Sequence, residues 1–413
     1  MFRPDEIIVT KAVADELVTR RILDRCSGAH VRFADTNCPN DIKAASSVLA
    51  SATGLTERIA AGKKIMALVS TTDAIGVFTM PDPRMGCPHF RKLVLVSNGC
   101  PYHCEWCFLQ GTYRDLFSFM AVRVRFDQIK KKILSFLRKP ANRSKIILFN
   151  NGELQDSLAL EHLTGAAETF IPFFGKLPNA YLFLLTKSEN VEPILDLPHN
   201  GHTILAWSLN AAEVSQEFEI GAPSFENRLR AARQAQDAGY RVRIRLDPIV
   251  PLPGWERMYA AAIGEIFAKI SPERVTIGTL RFEENFYRNR HAIIGERHPG
   301  SRLLREMERM QPMLPPMEVP TGKRTRQGTA ATKIRVGKFS YPQELRAEIF
   351  RFAISEIRKH FRGPVALCKE TADLWRAVGL DPHRCECVCQ HDFADITTHP
   401  VGAESGNNAR QTP

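Results

Sequence analysis

The sequence has no uninterrupted apolar run of about 18 residues, the length that a membrane-spanning helix requires. Its first residues also lack a basic segment followed by a short apolar run, so no secretory signal peptide is expected. No internal repeat is visible. These absences favour a cytoplasmic protein without a membrane partner. Thiols stay reduced there, and clustered cysteines indicate a metal or catalysis rather than disulfides.

The composition is that of an ordinary globular protein. The 413 residues are 44% hydrophobic and 24% charged, which suits one large α/β domain with appendages, or two domains. Lysine and arginine number 56 against 45 acidic residues, a net charge of +11. That excess is compatible with a polyanionic partner such as nucleic acid but does not require one.

Short apolar runs alternate with amphipathic stretches from about residue 91 onward. Helices are predicted over 126–139 and 225–239, the second ending at Gly239. Such strand-then-helix units indicate a parallel α/β sheet, open or curled into a partial (β/α)6 TIM-like barrel. The predicted buried strands are 92–98, 145–153, 180–187, 203–210, 241–248 and 274–281.

Polar side chains stand where these strands end. In parallel α/β folds the carboxyl ends of the strands carry the active site, so the pattern favours one shared site. The plainer alternative is that polar residues simply mark where strands stop. The residues are Asn98, Glu153, Lys187, Ser208, Asn210, Asp247 and Thr279.

The rest of the chain forms appendages to this barrel. The predicted divisions are an α/β lead-in (1–90), the barrel (91–283), a basic loop or hairpin with a closing helix (284–365), a cysteine-rich extension (366–390) and a disordered tail (391–413). Six basic residues with no acid between them could contact phosphates or form a solvated loop. They are Lys323, Arg324, Arg326, Lys333, Arg335 and Lys338.

Three thiols follow the first barrel strand on one short loop, "NGCPYHCEWCFLQG". They are Cys100, Cys104 and Cys107. Three thiolates can hold a [4Fe–4S] cluster that keeps one iron open for a substrate or cofactor. The alternative is a structural zinc site, which would need a fourth ligand such as His103 within the loop, or Cys87 or His89 upstream.

The Cys-x3-Cys-x2-Cys spacing, with Trp106 before the third cysteine, resembles the radical S-adenosylmethionine (SAM) enzymes. This resemblance implies that the open iron binds the amino and carboxylate groups of SAM. It further implies that an electron from the cluster cleaves SAM to a 5′-deoxyadenosyl radical, which abstracts a hydrogen atom. A reducing partner such as flavodoxin or ferredoxin would supply that electron.

The chain is similar, over about residues 5–365, to the spore photoproduct lyase family. The similarity lies in the cysteine loop and in "LLTKSENVEPILDLPHNGHTILAWSLNA", "APSFENRLRAARQAQDAGYRVRIRLDPIVPLPGWERMY" and "VGKFSYPQEL". The family implies a partial barrel acting on DNA, where it reverses a methylene-bridged thymine dimer by abstracting hydrogen from C6. It also implies that Lys187 binds SAM, that Ser208 and Asn210 form the Ser-x-Asn of the next strand end, and that Trp106 packs on adenine.

Two departures from the lyase pattern concern hydrogen transfer. Trp106 and Phe108 stand where lyases carry tyrosines, and neither can relay hydrogen through a phenol. Glu153 stands where they carry the cysteine that returns hydrogen to the product radical, and a carboxylate cannot do so. Asn151-Gly152-Glu153 instead resembles the Gly-Gly-Glu motif whose carboxylate accepts hydrogen bonds from the SAM ammonium. The alternative is that Glu153 caps the next helix.

A second cysteine group lies beyond the part that resembles the lyases: Cys368, Cys385, Cys387 and Cys389. Four thiols within 22 residues could bind an auxiliary Fe–S cluster or zinc, or act as a redox dithiol, or be ordinary free thiols. On a strand, alternate positions would share one face, which suits a metal less well than a turn would.

The sequence therefore predicts a radical SAM enzyme that acts on a nucleic acid base, by photoproduct reversal or a related modification. One alternative is a radical SAM enzyme that acts on a small molecule or peptide. Another is a non-catalytic Fe–S protein that binds nucleic acid.

Overall fold

The computed structural model describes residues 1–70, 74–78, 84–85, 90–93, 95–97, 99–112, 119–320, 333–384 and 386–389. The strands in chain order are β1 (Glu6–Thr10), β2 (His30–Ala34), β3 (Ile65–Val69), β4 (Ile75–Phe78), β5 (Phe90–Leu93), β6 (Val96–Ser97), β7 (Met120–Arg123), β8 (Ile147–Asn150), β9 (Ala180–Thr186), β10 (Thr203–Leu209), β11 (Arg241–Ile249), β12 (Val275–Thr279), β13 (Arg281–Glu283), β14 (Gln311–Pro312), β15 (Met317–Pro320), β16 (Lys333–Val336), β17 (Lys338–Ser340) and β18 (Val365–Leu367).

The helices run between these strands. They are α1 (Leu17–Arg25), α2 (Pro39–Ala45), α3 (Ser47–Ala50), α4 (Leu55–Gly62), α5 (Leu109–Thr112), α6 (Phe126–Leu137), α7 (Glu161–Thr164), α8 (Ala166–Phe174), α9 (Ala212–Phe218), α10 (Phe225–Asp237), α11 (Trp255–Lys269), α12 (Glu284–Arg288), α13 (Arg302–Glu308), α14 (Gln343–Arg358) and α15 (Ala372–Ala377). Among the described residues, no helix is long and apolar enough to cross a membrane.

The central sheet has the order β18-β12-β11-β10-β9-β8-β5-β4. Its neighbouring strands run parallel, except that β4 pairs antiparallel with β5. All seven residues of β10 are buried, as expected of a strand covered on both faces. The predicted α/β partial barrel is confirmed, and β18 adds a seventh parallel strand beyond the six expected.

The first predicted strand differs from the prediction because it is divided between two sheets. β5 lies in the central sheet, whereas β6 pairs antiparallel with β7 in a second sheet of order β2-β1-β3-β7-β6. The carbonyl of Leu95 accepts from the Arg123 N–H at 2.9 Å, which guides the chain across. An apolar run predicts a strand but not the sheet that it joins. The second sheet therefore includes strands from beyond residue 90.

The two predicted amphipathic helices are confirmed as α6 and α10. Helix α6 buries one face, formed by residues that recur every three or four positions. Helix α10 begins after Ser224, whose hydroxyl accepts from the Asn227 N–H at 3.3 Å. It ends before Gly239, whose φ of +85° suits glycine.

The region 284–338 contains more helix than the predicted loop or hairpin. It includes α12, α13 and a π-helical segment, His291–Gly295, before the antiparallel β15–β16 hairpin. Lys323, Arg324 and Arg326 lie outside the described residues, as does the predicted disordered tail, 391–413. Lys333 and Arg335 lie on β16.

The carboxyl-terminal segment 386–389 docks on the central sheet. The Val388 N–H donates to Thr276 Oγ1 at 2.9 Å, and its carbonyl accepts from Arg243 Nη1 at 2.8 Å. Cys387, Val388 and Cys389 are buried in the main core. Residues 388–389 form a turn and are not part of a strand.

A candidate active site at the strand ends

One cavity of about 390 Å³ lies where the parallel strands end. Its walls bring together eight of the predicted site residues, which come from separate elements. Those residues are Cys100, Cys104, Trp106, Cys107, Glu153, Lys187, Ser208 and Lys338. The shared site expected from the polar strand ends is therefore present in the structure. Asn98 lies outside the described residues.

The cysteine loop is held by hydrogen bonds to its backbone. The buried Lys63 ammonium donates to the carbonyls of Cys100 at 2.5 Å and Tyr102 at 2.7 Å. Gln110 Nε2 donates to the Cys104 carbonyl at 2.6 Å. The His103 N–H donates to the Ile220 carbonyl at 2.8 Å, which ties the loop to the segment after α9. Lys63 lies far from the loop in sequence, and no local pattern marks it.

The segment before α13 also holds the cysteine loop in place. Arg297 Nη1 donates to Gln110 Oε1, and its Nη2 lies 3.1 Å from His103 Nδ1. Burial, together with the Lys63 and Arg297 charges, lowers the pKa of His103 to about 4. The imidazole is therefore neutral and takes part in fixing the loop. Ser301 Oγ donates to the Glu105 carboxylate beside it.

The three thiols fit the donor set of an iron–sulfur cluster. Burial raises the pKa of Cys100 to about 12 and that of Cys104 above its usual range, although Lys63 and Lys187 respectively oppose the shift. A bound metal would supply the positive charge that deprotonates them. Within the described ranges, no three His, Cys, Asp or Glu side chains converge on one metal-ion position. A cubane cluster, unlike one zinc ion, spreads its thiolates over separate irons.

Glu153 presents a half-buried carboxylate to the cavity and has no hydrogen-bond or ion-pair partner among the described residues. The loop before it packs closely on β9, since a Cβ on Gly152 would lie 2.4 Å from Leu185 Cβ. Glu153 does not cap the next helix, because no side chain makes a cap hydrogen bond at the start of α7. The nearby Asp156 instead holds the turn that precedes α7. Asp156 Oδ1 accepts from the N–H groups of Leu158 at 3.1 Å and Ala159 at 3.0 Å.

Lys187 is held at the end of β9 by groups from three elements. Its Nζ donates to Ser208 Oγ at 2.9 Å and lies 3.5 Å from Glu219 Oε1. Its backbone N–H donates to Asp156 Oδ2 at 2.6 Å. Burial alone would lower the pKa of Lys187, but the Glu219 carboxylate reverses the effect. The ammonium therefore stays charged beside the thiols.

Two predicted SAM-binding residues differ in their placement. Trp106 lines the cavity and packs on Phe218, with ring centroids 5.3 Å apart. Asn210 is buried and does not line the cavity. Its Nδ2 donates to the Pro248 carbonyl at 2.8 Å, and its Oδ1 accepts from the Tyr259 hydroxyl at 2.6 Å. These bonds hold the ends of β10 and β11 together.

The cavity also contains a basic group that sequence reasoning did not single out. Arg245 and Arg281 line it together with Asp247. Lys338, predicted as part of a basic arm, lies in the same wall, where it pairs with Glu283 and burial lowers its pKa. Lys338 is thus a cavity residue rather than a solvated one.

The second cysteine group is only partly described. Cys368 directly follows β18 and accepts hydrogen bonds from Arg245 Nη2 at 2.9 Å and Arg281 Nη2 at 3.0 Å. Cys387 and Cys389 lie in the docked carboxyl-terminal segment, and Cys385 lies outside the described residues. A second metal site there stays a prediction.

A partial parallel barrel with a Cys-x3-Cys-x2-Cys loop facing a cavity at the strand ends defines the radical SAM class. Residues 3–314 match the family model "Spore photoproduct lyase". The chain therefore belongs to the spore photoproduct lyase family, as predicted.

Relatives in sequence are spore photoproduct lyases. The Geobacillus sp. protein is 31% identical over 219 residues, which cover 52% of this chain and 63% of that protein. The Clostridium acetobutylicum protein is 24% identical over 270 residues, or 65% of this chain and 74% of that protein. The Bacillus subtilis protein is 26% identical over 217 residues, again covering 52% and 63%. The chain thus spans less than two thirds of the length of the Geobacillus sp. and Bacillus subtilis proteins.

Solved structures show the same fold. A spore photoproduct lyase complexed with dinucleoside spore photoproduct matches with a TM-score of 0.69 and 23% identity, covering 89% of this chain and 99% of that one. A doubly substituted spore photoproduct lyase with bound AdoMet and dinucleoside spore photoproduct matches with a TM-score of 0.70 and 22% identity, covering 89% and 98%.

Proposed function

We propose that this protein is a radical SAM enzyme that acts on a nucleic acid base, with a thymine photoproduct as the first substrate to test. The observation that carries the proposal is that three thiols, a free carboxylate and a buried ammonium line one cavity. The relatives named above are lyases of this photoproduct.

Different residues of this chain would bind the cluster and SAM. Cys100, Cys104 and Cys107 would hold a [4Fe–4S] cluster. When bound, cluster and SAM supply an electron and a carbon radical that removes a hydrogen atom from the substrate. Glu153 would accept hydrogen bonds from the SAM ammonium, and the charged Lys187 would bind SAM as its position in the family pattern implies. The cluster, SAM and an external electron donor such as flavodoxin or ferredoxin are all part of this proposal, as is a cytoplasmic location.

The carboxylate of Glu153 favours a second candidate function. In the lyase pattern this position carries the cysteine that returns hydrogen to the product, and a carboxylate cannot replace it. A radical SAM enzyme acting on a small molecule or a peptide would not need that donor. A third candidate is a non-catalytic Fe–S protein that binds nucleic acid through the basic residues of 323–338.

Two products distinguish these functions. The reconstituted, reduced protein is incubated with SAM and dinucleoside spore photoproduct, and 5′-deoxyadenosine and thymidine are measured. With an added thiol present to return the hydrogen atom that Glu153 cannot supply, we expect both products, and neither from Cys104→Ala, whose loss of a cluster ligand also lowers its iron content.

The other outcomes point to the other candidates. Formation of 5′-deoxyadenosine with unchanged photoproduct would reject the lyase activity and favour a different substrate. No cleavage of SAM by a protein with a full iron complement would favour the non-catalytic alternative.

A further inference from the structure

Two largely buried arginines share one carboxylate in the cavity wall. Arg245 Nε and Nη2 donate to Asp247 Oδ2 at 3.0 and 2.8 Å. Arg281 Nη1 donates to Oδ1 at 2.9 Å, and its Nη2 donates to Oδ2 at 2.7 Å. Cys368 Sγ accepts from both guanidinium groups. These hydrogen bonds therefore fix the orientation of both planar guanidinium groups before any ligand binds.

The two guanidinium groups of this cluster outnumber the one carboxylate that they share. Burial alone would raise the pKa of Asp247, but Arg281 and Arg245 lower it far below its usual range, so one carboxylate faces two guanidinium ions. Glu153 also acts on Arg245, but the proposed function assigns it to SAM.

Hydrogen-bond donors of both arginines remain for a ligand. Arg245 Nη1 and Arg281 Nε make no hydrogen bond with any described residue, while both side chains line the cavity. Their exposed fractions are 15% and 11%, so each keeps a small accessible surface in an otherwise buried setting. A charged donor in such a place suits an oxyanion.

The sheet separates this group from Lys187, one of the residues proposed for SAM. Lys187 follows β9 and Arg245 lies on β11, with β10 between them, which corresponds to roughly 10 Å along the sheet. The group also depends on Gly278 of β12, because a Cβ there would lie 2.4 Å from Asp247 Oδ1 and 2.7 Å from Arg281 Nη1. Because Gly278 has no side chain, β12 leaves room for the side chains of Asp247 and Arg281.

We propose that Arg245 and Arg281 form an oxyanion subsite that binds a phosphodiester of the substrate. This inference rests on the proposed function and narrows it, since the substrate would be a nucleotide or oligonucleotide rather than a nucleoside or neutral peptide. Arg245 Nη1 donates to one phosphate oxygen and Arg281 Nε to another, while Asp247 keeps both heads in place.

Binding measured without turnover tests this subsite. The reconstituted protein, with no reductant present, is titrated with dinucleoside spore photoproduct and with the same photoproduct carrying its phosphodiester. We expect the phosphodiester form to bind at least about 10-fold more tightly, as expected for charge-assisted hydrogen bonds. Its affinity should fall with salt, with a slope of about one released counterion.

Single substitutions identify the residues that give the preference for the phosphodiester form. Arg245→Gln should remove the preference and leave SAM affinity unchanged, and Arg245→Lys should retain part of it. Arg233→Gln on the exposed face of α10 is the matched control, because Arg233 pairs only with neighbouring groups of its own surface. Thermal melting checks that each variant is folded.

Three results would overturn the subsite. Equal affinity of the wild type for both ligands, with SAM still cleaved under reducing conditions, rejects the subsite alone. Weaker SAM binding by Arg245→Gln, with the ligand preference intact, would assign the anion to the SAM carboxylate. Absence of both photoproduct binding and SAM cleavage would reject the proposed function together with the subsite.

Discussion

At the scale of single residues, Lys63 shows how one buried charge can organise a metal-binding loop. Its ammonium bonds two carbonyls on either side of Pro101, so the loop curves around it. A buried ammonium is costly unless such acceptors compensate it. The loop and the lysine therefore stabilise each other.

Replacing Lys63 should loosen the loop. Lys63→Met leaves two buried carbonyls without this donor, and each costs about 1–3 kcal/mol. We expect a lower free energy of unfolding and fewer irons bound per chain after reconstitution, measured by urea unfolding and iron analysis. Lys64→Met is the control, since Lys64 is 60% exposed. Equal iron content in both variants would contradict this role.

Glu153 gives a prediction for SAM itself. Glu153→Gln keeps the shape of the side chain but removes its charge. We expect SAM to bind about 10-fold more weakly, because a charge-assisted hydrogen bond is lost, while iron content stays the same. Calorimetric titration measures the affinity. Unchanged affinity would indicate that SAM does not contact this carboxylate.

Residues that directly follow apolar runs were the predictable part of the site. The cysteine loop, Glu153, Lys187 and Ser208 stand directly after apolar runs, so the strand pattern places them at one edge. Lys63 and Arg297 could not be found this way, because they reach the loop across 37 and 194 positions. Asn210 was predicted from a family motif, but its side chain hydrogen-bonds to Pro248 and Tyr259 and does not line the cavity.

At the scale of secondary-structure elements, helix α8 is capped from outside by the buried Glu161. Its two carboxylate oxygens accept from the N–H groups of Ala167 at 2.7 Å and Glu168 at 2.9 Å. Burial nevertheless raises the pKa of Glu161 to about 7 from 4.5. The folded protein therefore holds this proton over a pH range in which the unfolded chain has lost it.

The sign of the pH effect follows from this difference. Because the folded state binds more protons between about pH 4.5 and 7, Glu161 makes the free energy of unfolding fall as pH rises through that window, by an amount on the order of 3 kcal/mol. Glu161→Gln should lack this component while keeping one acceptor for the cap. Urea unfolding at several pH values compares it with wild type and with the exposed Glu226→Gln. If the free energy of unfolding changed with pH equally in Glu161→Gln and in wild type, the pH effect would not come from Glu161.

Element types were predictable where periodicity was strong, as for α6 and α10. Helices α12 and α13 were missed because the proline- and arginine-rich composition around them indicated a loop. Ser301 does provide a local signal, since its hydroxyl accepts from the Leu303 N–H at the start of α13.

At the scale of the whole molecule, the carboxyl-terminal segment 386–389 completes the core of a barrel formed by residues far earlier in the chain. Arg243 and Thr276 of the central sheet use it as a hydrogen-bond partner. The order of the six central strands could be predicted, because successive βα units place neighbours side by side. The docking of 386–389 could not be, since no periodic pattern marks it.

Truncation tests this contribution. A chain ending at residue 384 loses the buried Val388 with both neighbouring cysteines and leaves Arg243 Nη1 without its carbonyl. We expect a loss of about 3 kcal/mol in the free energy of unfolding, from the apolar area and the hydrogen bond together. A chain ending at residue 389 keeps the segment and should match the full-length protein in urea unfolding. Equal stability of both truncated chains would show that docking contributes little.

The cysteine loop also has a consequence for biosynthesis, because its supports are made at different times. Lys63 precedes the thiols, but Arg297 follows Cys107 by some 190 residues. At typical translation speeds of 5–20 residues per second, the loop waits roughly 10–40 s for that contact. We expect iron insertion to follow the emergence of residue 297 from the ribosome, so that the site matures late in the synthesis of the chain or after it.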